Sequence, residues 1–131
     1  MRSPAGLACL GVALVMVAQL VGCATSTVVT PSLPNVAPRS GSCHANVIDR
    51  GGAVPTGYQE VAKIESHIQR NFFFGGRVTL LEDAYEELRV KACEAGGDQV
   101  RVDDFVESAA AEMTHVHVWA TVFRRTSGHA L

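Results

Sequence analysis

The sequence predicts a small α+β two-layer sandwich, one helix packed on a sheet of three to four strands in the order β-α-β-β. Three observations predict it. In His115–Arg124 (HVHVWATVFR) Val116, Val118, Ala120 and Val122 fall at every second position, the period of a half-buried strand. In Tyr58–Ser66 (YQEVAKIES) Ala62 and Ile64 alternate with Lys63 and Glu65. Between them, Thr79–Ala95 carries apolar residues at helical spacing, and a single helix can cover one face of a sheet.

In chain order, the 131 residues open with Arg2 and an apolar run from Leu7 to Val21 in which only Gln19 is polar. As a helix of fifteen residues it would reach roughly 22 Å, short of the roughly 30 Å hydrocarbon core of a bilayer. No charged stop-transfer flank follows, so residues 1–22 read as a secretory signal. Removing them leaves 109 residues, with ten Lys/Arg (Arg2 gone) against thirteen Asp/Glu, a formal charge of −3. Such a chain lacks the basic patch that nucleic-acid binding needs. It also has little room for the deep pocket of an elaborate enzyme.

Residues 24–42 (ATSTVVTPSLPNVAPRSGS) hold Pro31, Pro34 and Pro38, several Ser/Thr and almost no charge. They read as an extended tether without a core, at most about 65 Å long. The alternative is an edge strand over Thr27–Thr30. Asp49–Gly57, with three glycines and a proline, is a turn-rich loop. In Tyr58–Ser66, Ala62 and Ile64 share one face and Lys63 and Glu65 the other. Residues 71–77 (NFFFGGR) fit either a buried connection or a hairpin end.

Thr79 is the expected N-cap of the helix, with Glu82 at capping-box spacing, and Glu82 and Asp83 suit the positive end of its dipole. Leu81, Ala84, Tyr85, Leu88, Ala92 and Ala95 form the stripe, and Gly96 ends the helix. Gln99–Val106 should place Val100, Val102 and Val106 on one face, and Glu107–Thr114 connect to the last strand. There Val116, Val118, Ala120 and Val122 face one way and His115, His117, Trp119, Thr121 and Phe123 the other, with Phe105 beside them from the neighbouring strand. The folded unit is expected over residues 43–125, followed by a tail at 126–131.

Leu20-Val21-Gly22-Cys23 resembles the lipobox of bacterial lipoproteins. The resemblance implies cleavage before Cys23 and acylation of its sulfur and new amino group. Two or more acyl chains give stable membrane anchoring. Ala24 in place of Asp implies, by the same resemblance, the outer membrane, with the domain facing the periplasm. Residues 92–100 (ACEAGGDQV) resemble the helix-to-strand passage of small envelope proteins. These include the Rcs envelope-stress sensor lipoprotein, a β-α-β group called heavy-metal binding, and lipoproteins of unassigned function. The sensor's four disulfide cysteines are absent. With Cys9 lost in the leader and Cys23 acylated, Cys43 and Cys93 remain in an oxidising compartment as a disulfide or as two buried thiols.

His115 and His117 lie on one strand face at a spacing that can ligate a metal. A site needs further ligands, for which His44, His67, Asp103 and His129 are the candidates. No metal and no cofactor beyond the lipid on Cys23 is assigned, and His115 and His117 stand as weak metal candidates. Asp103 and Asp104, as strand neighbours, should point to opposite faces and so cannot form an acid/base pair. Gly51-Gly52 and Gly96-Gly97 lack the strand-loop-helix context of a phosphate cradle. No nucleophile is set up, and no enzymatic activity is expected. The face His115/His117/Trp119/Phe123 suits an envelope-protein partner or self-association, unless Phe72–Phe74 or the N-terminal segment covers it. The sequence thus predicts an outer-membrane-anchored, non-catalytic interaction or structural module. An envelope-stress or metal-sensing lipoprotein is the second reading and a small enzyme the third.

Overall fold

A computed structural model describes residues 23–71 and 79–127. The signal segment, Phe72–Phe74 and His129 lie outside the described residues. The elements are β1 (Cys23–Pro31), β2 (Asn46–Ile48), β3 (Tyr58–Asn71), α1 (Leu81–Glu94), β4 (Gln99–Ala110) and β5 (Met113–Arg125). They build an α+β two-layer fold whose five-stranded sheet has the order β1-β3-β5-β4-β2. All neighbours are antiparallel except β2 and β4.

The β-α-β-β order survives as β3-α1-β4-β5, with β1 and β2 added at the two edges. β1 corrects the expected tether: residues 23–31 pair with β3 over their whole length, Cys23 opposite Arg70 and Pro31 opposite Ala62. Val28, Val29 and four threonines or serines give this stretch strand propensity, and its first proline falls at the strand's last residue. The chain continues against the domain. Ser32 N–H donates to Val61 O, Arg39 N–H donates to Cys93 O, and Leu33 and Val36 pack on the core. Among the described residues the folded unit therefore extends from Cys23, twenty residues before the expected boundary.

Ile64 and Ile68 of β3, Val100 and Val102 of β4, and Val116, Val118, Ala120 and Val122 of β5 are buried under Leu80, Ala84, Leu88 and Ala92. The helical stripe falls where its spacing puts it. The N-cap does not: it is Leu80, with no side-chain hydrogen bond, so the Thr79 capping box is not formed. Burial of Leu80 on the core, together with Glu82 and Asp83 in the first turn, supports that end. At the other end Gly96 adopts φ +87°, and the N–H groups of Gly96 and Gly97 donate to Cys93 O and Ala92 O, a Schellman closure. A Cβ on Gly96 would lie 2.5 Å from Ala37 O, so the 32–42 segment needs glycine there to cross the helix end. Cys43 and Cys93 are joined by a disulfide, Cα atoms 6.0 Å apart, which fastens the same crossing.

Two bulges set the faces. One, at Val61, lets Val61 and Ala62 both point inward. The other, at Asp103, shifts β4 by one residue, pairing Val102 with Ala120 but Asp104 with Trp119. The expected connection over Glu107–Thr114 is instead strand up to Ala110 and a two-residue turn at Ala111-Glu112, where Ala111 has φ +53°.

Candidate functional site

α1 covers one face of the sheet. The opposite face is built from the outward residues of β5, β3 and β4 and divides into two halves.

In the half next to β2, side chains pair off. Thr121 Oγ1 donates to Asp103 Oδ2 at 2.6 Å and accepts from Lys63 Nζ at 3.3 Å. Arg101 bonds Asp103 at 3.0 Å, and its guanidinium lies 5.4 Å from the Phe123 ring centroid. The bulge overturns the expectation that Asp103 and Asp104 point to opposite faces. Asp103 sits with Thr121, and Asp104 stands opposite Trp119 with its carboxylate on Arg50 at 2.9 Å. The two carboxylates thus have separate arginine partners.

The other half gathers imidazoles. β3 runs on to Asn71, past the expected end at Ser66, and so carries His67 onto this face directly opposite His117. His115 Nδ1 lies 3.4 Å from His67 Nε2, with the rings stacked at 5.5 Å between centroids. His67 and His117 rings are also 5.5 Å apart. His117 Nε2 meets Glu65 Oε1 at 2.8 Å, and its ring stacks on Trp119 at 4.0 Å. A carboxylate only accepts, so Nε2 carries the proton in this bond, and in the neutral ring Nδ1 is left with its lone pair. An open groove of about 460 Å³ lies along this row, bounded on the β4 side by Val106, Ser108 and Ala110.

Several expected placements change. The bulge turns Val106 out to this face, 53% exposed and opposite His117, and turns Phe105 inward against the core. His44 lies beside Cys43, at the helix end away from the other histidines. Asp103 is committed to Thr121 and Arg101. The pair His115/His117 is therefore joined by His67, Glu65 and Val106. The signal for His67 was in the sequence, because Ile64, Ser66 and Ile68 continue the inward alternation of the strand past Ser66.

On the helical side, a cleft of about 410 Å³ opens between β1, the 33–36 segment and the end of α1. Val29, Leu33, Val36 and Val61 line it, and its Lys91 and Glu94 pair with each other at 2.8 Å. No helix among the described residues is long and apolar enough to cross a membrane.

No family model matches the chain, and no curated protein matches it. Among solved structures it is similar to that of the Francisella virulence factor FvfA in an orthorhombic crystal form. The identity is 11%, over 74% of this chain and 97% of that one, with a TM-score of 0.42. A likeness of that size assigns neither a family nor an activity.

Proposed function

We propose that the chain is a lipid-anchored, non-catalytic interaction module of the bacterial outer membrane, held by acylated Cys23 and facing the periplasm. The observation that carries the reading is one-sided coverage. Among the described residues nothing lies over the outer sheet face, which presents Val106, Trp119 and, on β1, the 59% exposed Val28. Aromatic and aliphatic groups with a few polar neighbours are the composition of protein-docking surfaces. The leader ending in Leu20-Val21-Gly22-Cys23 supports the anchor. On this reading β1 starts at the acylated residue, so the domain stands at the bilayer surface, with the β4–β5 turn and the end of β3 nearest the lipid.

Two measurements test the proposal. Intact mass from native membranes should begin at Cys23 with added acyl chains, and Cys23→Ala should release the chain from the membrane fraction. A photo-cross-linking residue at Val106 should capture an envelope protein or a second copy, and one at Glu86, on the exposed side of α1, should not. Identical capture from both positions, or an unprocessed and unacylated chain, would overturn the reading.

A further inference from the structure

We propose that His67, His115 and His117 form a binding site for a divalent transition-metal ion of the zinc class on the outer sheet face. The site stands on the geometry of β3 and β5 and is independent of the interaction-module reading. Two ligands two residues apart on one strand, and a third directly opposite one of them on the next, make a triangle on one side of the sheet. Directly opposite residues bring their Cβ atoms to about 5 Å, which imidazoles can close about one ion.

The separation suits a shared metal ion as well as a long hydrogen bond. At 3.4 Å, His115 Nδ1 and His67 Nε2 are farther apart than a good N–H···N contact. Ligand nitrogens about 2.1 Å from a tetrahedral zinc ion are themselves about 3.4 Å apart. His117 brings the third donor. Glu65 takes its Nε2–H, which leaves Nδ1 as the ligating atom, while the ring stacks on Trp119 until it turns to bind. A carboxylate on the far nitrogen of a ligating histidine sets its tautomer and raises its basicity. Among the described residues no group of three or more His, Cys, Asp or Glu side chains is placed to hold a metal ion as it stands. Closure therefore requires a turn of the His117 ring toward the His67/His115 pair, and the groove beside it leaves a fourth position for water.

The test is zinc titration of the full chain in detergent by calorimetry, with cobalt(II) as a spectroscopic substitute. One ion per chain is expected, with the intense visible bands of tetrahedral cobalt. His67→Ala, His115→Ala and His117→Ala should each weaken binding by more than tenfold. Glu65→Gln should weaken it about tenfold through the orienting bond alone, and His44→Ala should leave it unchanged. In the unmodified chain, zinc should shift the ring C–H resonances of His67, His115 and His117 and leave those of His44 in place, a readout that needs no variant. Absence of binding, octahedral cobalt spectra, or affinity retained in the triple alanine variant would overturn the proposal.

Discussion

The Cys43–Cys93 disulfide gives a prediction whose size follows from the chain. The bond closes a loop with a sequence separation of 50 residues. In the chain-entropy treatment such a closure removes about 14 cal/mol/K from the unfolded ensemble, or about 4 kcal/mol at 25 °C. The folded state loses little besides the bond when it is cut. Arg39 N–H still donates to Cys93 O, and Val36 still packs on the core beside the helix end. The double variant Cys43→Ala/Cys93→Ala should therefore fold to the same structure and be less stable by about 4 kcal/mol. With a urea slope of about 1.5 kcal/mol/M, the midpoint should fall by roughly 2.5–3 M at unchanged slope. The assay is urea unfolding followed by Trp119 fluorescence, for the oxidised chain, the reduced chain and the double variant. A double variant within about 1 kcal/mol of the oxidised chain would refute the entropic reasoning. It would mean that the unfolded chain is already held compact between residues 43 and 93.

The remaining predictions concern packing, backbone and protons. Leu88→Ala empties the centre of the helix–sheet interface and should cost about 2–5 kcal/mol, read as a drop in Tm. Gly97→Ala would drive a Cβ into Val122 Cγ1 and to 2.9 Å from Phe123 O, costing about 1–3 kcal/mol in urea unfolding. Ala111→Gly relieves the positive φ of the β4–β5 turn and should raise stability by about 0.5–1 kcal/mol by the same assay. Burial, followed by the hydrogen bond to Asp49 at 2.8 Å, pushes the Tyr85 hydroxyl up to about 12. The folded chain thus holds this proton at pH values where the unfolded chain has lost it. Tyr85 contributes its full stability below pH 10 and loses it as pH rises from 10 to 12. Phenolate absorbance in a Tyr58→Phe background should show the high midpoint, and Asp49→Asn should lower it.

The parts of the fold that were legible in the sequence are those where one periodicity dominates. β5, β3 after its bulge at Val61 and the stripe of α1 each carry a clear pattern that burial follows, apart from Thr121, which is buried on the outer face among Lys63, Arg101 and Asp103. β1 was obscured because a strand at a sheet edge needs little hydrophobicity, and Thr25–Thr30 resembles linker composition as closely as it resembles strand. β2 is three residues long, too short for any period to show. The β4 face was misread from Val106 onward because a bulge adds one residue without a mark in the sequence, exchanging the places of Phe105 and Val106. Of the candidate site, His115, His117 and Trp119 were legible from alternation alone. The alternation of Ile64, Ser66 and Ile68 puts His67 on the outer face, but its place opposite His117 needed the register of β3 against β5, which belongs to the tertiary structure.

The strand at the centre of the sheet is the last of the described strands. β5 pairs with β3 on one side and β4 on the other, and the outermost strands, β1 and β2, come from the first 48 residues. A chain emerging N-terminus first, from a ribosome or through a membrane, therefore brings out the margins of its sheet before the middle. Until Met113–Arg125 has emerged, β3 has only the edge strand β1 to pair with and β4 only the three residues of β2. The sheet must then await Met113–Arg125. Every earlier strand passes through a period of unsatisfied backbone, in which holding factors and aggregation compete for it.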